Sequence, residues 1–307
     1  MTLTGATGLI GRPLVAALAQ RGAQLTVLSR DPERARARLS APGQAPVLAL
    51  GWEPAREAAP AEALEGRDAV VNLAGERVAQ RWSERAKRAI RESRVTGTRN
   101  LVAGLSDCGA RPRTLVSASA VGYYGPHGEE PLDEDAPPGQ DFLAEVCAEW
   151  EAQAGGAAAL GMRVVQLRTG VVLAAGGGAL ASMLPPFRLG LGGPVAGGRQ
   201  YISWIHLGDH IALLLATLDD ERFSGPINVT APEPVTNGEF TRALARTLHR
   251  PALVPVPALA LRLAYGEMAQ VITTGARVLP ARALVLGFKF RHPHVRQALE
   301  HTLAGGE

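Results

Sequence analysis

Gly5-Ala6-Thr7-Gly8-Leu9-Ile10-Gly11 follows a short β-prone run and leads directly into an apolar helical pattern. Glycines at this spacing permit a tight turn and let backbone N–H groups approach an anion at the positive end of a helix. Leu14 and Leu18 fall one turn apart on the face to be buried, Pro13 is tolerated in a first turn, and Gly22 offers a stop. Strand, glycine turn and helix thus occur in the order that a dinucleotide-binding unit requires. Gly5, Thr7, Gly8, Leu9, Ile10 and Gly11 are therefore expected to cradle a cofactor's phosphates. Only Met1 to Thr4 precede the first glycine, fewer than the roughly five or six residues of an average strand, so this strand reads as clipped.

Short apolar runs at Leu25–Leu28, Ala69–Leu73, Thr114–Ser117 and Val164–Leu167 alternate with helical stretches. That alternation predicts an α/β fold with a doubly wound parallel sheet of Rossmann type. A helix is predicted from Ser83 to about Leu105, charged in its first half and packing through Leu101, Val102 and Leu105 in its second. At 307 residues the chain is long enough for one large domain and an appendage. Residues 1–170 are expected to form the dinucleotide-binding domain, with 200–230 returning to it through Ile227–Val229. Residues 171–199 and 231–307, with their glycine and proline clusters and a short helix at Glu239–Leu248, are expected to form a smaller substrate-side domain. Gly176–Gly178 and Gly190–Gly198 read as loops on either side of Pro185-Pro186.

The net charge is only +3, Lys87 and Lys289 are the sole lysines, and the arginines are interspersed with acids. No basic face emerges for nucleic acid. Cys108 and Cys147 suit neither a disulfide framework nor zinc spacing, which fits a reducing cytoplasm. No segment approaches the roughly 18 apolar residues of a membrane span, and no signal-peptide pattern opens the chain. His206 and His210 stand one helical turn apart with no third ligand in the pattern, so no metal is expected.

The residue ending the second strand of such a unit meets the adenosine ribose, and a carboxylate there selects the free 2′-hydroxyl. Here Ser29-Arg30 offers a hydroxyl and a guanidinium suited to a 2′-phosphate, so NADP is expected over NAD. Leu73-Ala74-Gly75-Glu76 ends another buried strand in small residues that let a flat ring lie against the backbone. Ser117 to Gly125 then places Ser119, Tyr123 and Tyr124 at the carboxyl edge of the sheet, where open α/β folds bind ligands. Arg168 and Trp204 are candidate substrate contacts.

With Gly5–Gly11, Asn72–Gly75, Ser119, Tyr123-Tyr124-Gly125 and Trp204-Ile205-His206 in this order, the chain resembles the extended short-chain dehydrogenase/reductases, the epimerase and dehydratase group. Arg81-Trp82, Ser93-Arg94-Val95, Asp141 to Cys147, Met183 to Phe187 and Gly266 to Ala269 look like an atypical branch of that group, one carrying a C-terminal domain of unknown function. The resemblance implies NADP as cofactor, a small or nucleotide-linked metabolite as substrate, and a catalytic serine at Ser119. It also implies a Tyr-x-x-x-Lys pair, whose lysine lowers the tyrosine pKa. The chain departs from that pattern: the helix that should carry the pair reads Phe142-Leu143-Ala144-Glu145-Val146-Cys147, and Arg94 stands where the group has asparagine. Chemistry is then expected to run through Ser119, Tyr123 and Tyr124 in an NADP-dependent oxidoreductase or epimerase. The alternative is a non-catalytic NADP(H)-binding sensor or scaffold.

Overall fold

The computed structural model describes residues 1–40 and 47–305. Five strands come first in the chain: β1 (Thr2–Thr4), β2 (Thr26–Ser29), β3 (Leu48–Gly51), β4 (Ala69–Asn72) and β5 (Thr114–Ala120). With the later strands Arg163–Thr169 and Gly225–Val229 they form one seven-stranded parallel sheet. Its order, from one edge, is Gly225–Val229, Arg163–Thr169, β5, β4, β1, β2, β3. The sequence order reverses at β1 and β4, the crevice at which such sheets bind ligands.

Both faces of the sheet are buried, which is why its strands read as continuous apolar runs and not as alternating ones. Leu3, Val27, Val71, Val116 and Val165 pack on one face with Leu14, Leu18, Ile211 and Leu214. Their strand neighbours Leu28, Val70, Leu115 and Val164 point to the other face and meet Trp52, Leu101, Leu105 and Ala154. A further core joins Leu173, Leu180, Phe187, Trp204, Phe240, Leu244 and Leu299, binding the later parts of the chain together.

The helix expected over Ser83–Leu105 is interrupted. Ser83 caps Glu84–Arg91 by accepting from the Ala86 N–H, a π-helical turn spans Glu92–Thr96, and an α-helix resumes over Gly97–Ser106. One extra residue in a helical turn re-aims the side chains that follow, and such turns recur at functional sites. Pro185-Pro186, between the two glycine-rich stretches, lie inside the helix Gly178–Arg188. Among the described residues no helix is long and apolar enough to cross a membrane.

Candidate functional site

The glycine turn sits between the ends of β1 and β4. Gly5 has φ +64°, and a Cβ there would lie 2.5 Å from the Leu73 carbonyl oxygen, so no side chain fits. A Cβ on Gly11 would overlap the Gly5 carbonyl oxygen in the same way. The Gly8 N–H closes the turn on Gly5 O at 3.0 Å. The helix that follows, Gly11–Gln20, has no acidic residue in its first turn and no side-chain cap. Its positive end therefore faces the turn without a competing carboxylate. Ser29 is half-buried and Arg30 exposed at the end of β2. Asp31 caps the next helix by accepting from the Arg34 N–H at 2.9 Å, which commits that carboxylate to the backbone.

A buried polar chain ties the central strands together just below this edge. Thr4 Oγ1 donates to Asn72 Oδ1 at 2.7 Å, Asn72 Nδ2 donates to Thr98 Oγ1 at 2.9 Å, and Thr98 also accepts from Trp150 Nε1 at 2.9 Å. Thr4 Oγ1 in turn accepts from the Ala74 N–H at 3.1 Å, which sets the course of Leu73-Ala74-Gly75 past the glycine turn.

Arg94 occupies the π-helical turn. It donates to the carbonyls of Glu76 (3.0 Å) and Ile90 (3.2 Å), and its guanidinium lies 5.2 Å from the Trp150 ring centre. A Cβ on Gly75 would come within 3.1 Å of the guanidinium carbon, so Arg94 runs alongside the Leu73–Glu76 segment. Burial lowers its pKa, opposed by Cys147 and Glu76. Cys147 stands on the helix Phe142–Gly155 where the lysine of the resembled group is expected. Burial pushes its thiol up to about 12, so it is neither thiolate nor base at neutral pH.

Ser119, Tyr124 and Arg168, far apart in sequence, share one buried network. Ser119 Oγ donates to Glu151 Oε1 at 2.6 Å, and Arg168 grips the same carboxylate through Nε and Nη2 at 2.9 and 2.8 Å. Arg168 Nη1 donates to the Tyr124 hydroxyl at 3.0 Å, which donates to Asn228 Oδ1 at 2.7 Å. Burial would lower the Arg168 pKa, but Glu151 and Tyr124 together outweigh it and raise the value. Burial pushes the Tyr124 phenol up to about 12 against the opposing pull of Arg168. Tyr124 is fully buried, whereas Tyr123 is half-buried with the Arg168 guanidinium 3.5 Å from its ring centre.

The structure therefore buries both residues assigned by sequence to substrate. Arg168 is consumed by Glu151 and Tyr124, and Trp204 is enclosed with Leu173, Leu180 and Phe240 while its indole N–H donates to Glu233 O at 3.0 Å. A different surface opens beside the helix Phe142–Gly155. A cleft of about 820 Å³ lies between Trp82, Phe142 and Leu143 on the sheet side and Arg262, Glu267 and Gln270 on the C-terminal side. Leu143 also packs towards Gly122, whose added Cβ would lie 3.4 Å from it, so the cleft adjoins the Ser119–Tyr124 turn. Ion pairs from Lys87 to Glu84 (2.8 Å) and Glu267 (3.0 Å) brace one end. Sequence reasoning missed Arg262 and Gln270 and gave Glu267 no site role although it lies in the Gly266–Ala269 motif, because local pattern does not tell which cleft a distant segment will line. His206 and His210 also part company: His210 Nε2 meets Thr169 Oγ1 at 3.2 Å, while His206 turns towards His301.

Comparison with known proteins agrees with this geometry. Residues 1–229 match the NAD dependent epimerase/dehydratase family, and residues 256–302 match a domain of unknown function, DUF1731. An Arabidopsis thaliana chloroplastic homologue of the epimerase family protein SDR39U1 is 42% identical over 97% of this chain and 85% of its own length. An epimerase family protein of Mycobacterium bovis is likewise 42% identical, over 98% of this chain and 97% of its own. The crystal structure of human SDR39U1 with NADPH superposes with a TM-score of 0.85 at 33% identity, covering 99% of this chain and 98% of that one. The chain belongs to the NAD-dependent epimerase/dehydratase family, with the extended short-chain dehydrogenase/reductase fold and a DUF1731 C-terminal region.

Proposed function

We propose that this protein binds NADP(H) and acts as an oxidoreductase or epimerase on a small or nucleotide-linked metabolite held in the cleft between Trp82, Phe142 and Arg262. The observation that carries the cofactor assignment is the glycine turn with no room for a Cβ at Gly5 or Gly11, facing a helix end free of acids, with Ser29-Arg30 ending β2. The NADPH bound to the human relative supports the same cofactor. Thr7 to Ile10 would hold the pyrophosphate, Ser29 and Arg30 the 2′-phosphate, and Leu73–Glu76 with Arg94 the nicotinamide end.

When bound, the cofactor supplies a hydride donor or acceptor. This chain's own residues orient the substrate and manage the proton. Ser119 and Tyr124 are buried, whereas Tyr123 is only half-buried, and Tyr123 is assigned the proton transfer. Ser119 and Tyr124 position it, through Glu151 and Arg168. Arg94 places a fixed cation beside Gly75, on the side where the resembled group uses its lysine. Residues 171–199 and 231–307 are assigned to the substrate side, with Arg262 as a cation available to an anionic substrate.

A sensor that binds NADP(H) without turnover is favoured by one observation, the commitment of Ser119 to Glu151 within the protein. The two readings separate by incubating the enzyme with NADPH and panels of carbonyl metabolites and nucleotide sugars while following the reduced nicotinamide absorbance and sugar epimers. Turnover lost in Tyr123→Phe with cofactor affinity retained supports the enzyme. Tight NADPH binding with no turnover across the panels supports the sensor.

A further inference from the structure

We propose that His206, His292 and His301 form a binding site for one divalent transition-metal ion of the zinc class. Three separate elements bring them together. His206 ends the strand Trp204–His206 and caps the helix Leu207–Asp219, His292 lies in the loop after Phe290, and His301 sits on the helix Val295–Leu303. One nitrogen from each lies within 4.8 Å of the other two. His206 Nε2 and His301 Nδ1 are 3.1 Å apart, close to the separation of about 3.3 Å between two nitrogens at bond lengths of about 2.0–2.1 Å on a tetrahedral ion. The ring centres are 4.0, 4.5 and 5.0 Å apart, and the half-buried His292 and the exposed His301 would splay to admit an ion. The exposed side leaves a fourth position to water, the arrangement of an open three-histidine site.

The surroundings suit a cation. Asp209, 1% exposed, accepts the backbone N–H groups of Arg291 and His292, both at 2.9 Å, fixing the His292 loop against the helix that His206 caps. Its carboxylate also offsets the positive helix end near the ion. In the metal-free protein the Gly208 N–H donates to His206 Nδ1 at 3.0 Å, so the His206 proton resides on Nε2 and faces His301. Ion binding takes that position, the proton moves to Nδ1, and the bond from Gly208 is given up. The ion would staple the final helix to the segment whose next residue, Leu207, lines a groove with Thr7, Gly8 and Leu9.

Chelator-treated full-length protein, dialysed against Zn²⁺ or Co²⁺ at pH 7.5, tests this. Wild type should take up one ion per chain, Co²⁺ should show the visible bands of a four-coordinate site, and Zn²⁺ should raise the thermal midpoint. His292→Ala and His301→Ala alter surface-facing positions and should each weaken binding at least about tenfold, the lower end of what even outer-shell losses cost. His294→Ala should leave binding unchanged, because that ring pairs with Glu233 at 2.7 Å outside the cluster. Less than one ion per wild-type chain, or equal affinity in the His292 and His301 variants, would overturn the site and leave a hydrogen-bonded imidazole cluster.

Discussion

Ser119 and Glu151 are joined by a hydrogen bond of 2.6 Å in a place where the carboxylate is also clamped by Arg168. A hydroxyl that donates to a buried, ion-paired carboxylate keeps its lone pairs as acceptors and its proton committed. Ser119 thus couples the sheet edge to the Arg168 network, and whatever it does for substrate it does from a fixed rotamer. The same network holds Tyr124 and passes beneath Tyr123.

Breaking that clamp should be costly to stability. The Arg168 and Glu151 side chains are 4% and 9% exposed, and truncating one partner strands the other's charge. Glu151→Ala is expected to destabilise by about 3–5 kcal/mol, against less for Glu151→Gln, which keeps a hydrogen-bonding partner for both Ser119 and Arg168. Chemical denaturation monitored by circular dichroism measures both, and near-wild-type stability in Glu151→Ala would refute the account.

Cofactor selectivity should reside at the end of β2. By calorimetry, NADP(H) is expected to bind at least about tenfold tighter than NAD(H), equivalent to about 1.4 kcal/mol. Arg30→Ala should remove most of that difference, and equal affinities in the wild type would end the proposal.

Turnover should separate the loop from the substituted helix. Once a substrate is in hand, Ser119→Ala and Tyr123→Phe are each expected to lower kcat by about two orders of magnitude or more, the tyrosine as the lost acid or base and the serine as a contact that positions it. Tyr124→Phe should act mainly on stability, since its hydroxyl is fully enclosed between Arg168 and Asn228. Cys147→Ala should change kcat by less than about tenfold, because a thiol raised to about 12 carries no proton chemistry at neutral pH. A large loss in Cys147→Ala beside normal loop variants would reverse the assignment.

Acid should destabilise the fold through His210. Burial lowers its pKa from 6.5 to about 4, so the folded protein keeps the ring neutral while the unfolded chain protonates it. The unfolded state therefore binds more protons across that window. Stability is fully present above pH about 6.5 and declines as pH falls towards 4, by on the order of 3 kcal/mol. The slope of unfolding free energy against pH should flatten in His210→Leu, whatever that variant's absolute stability. An unchanged slope would show that other groups carry the acid sensitivity.

Much of this molecule is local in origin and was legible as sequence. The glycine turn, the buried strands and the end of β2 at Ser29-Arg30 follow from residues a few positions apart, where backbone freedom, propensity and periodicity act directly. The family motifs around Ser119 and Tyr123 were equally readable. Tertiary structure alone decided the rest. The π-helical turn that aims Arg94 at Gly75 has no periodic signature, because it inserts one residue into an otherwise helical pattern. Arg168 and Trp204 both read as substrate contacts, but Glu151, Tyr124 and the Glu134 carbonyl close around the arginine and the C-terminal helices bury the tryptophan. His206, His292 and His301 meet although the first and last are 95 residues apart. Local pattern sets which elements form, but the partners of a buried charge or a clustered imidazole depend on how distant elements pack, and that information is held only in the folded chain.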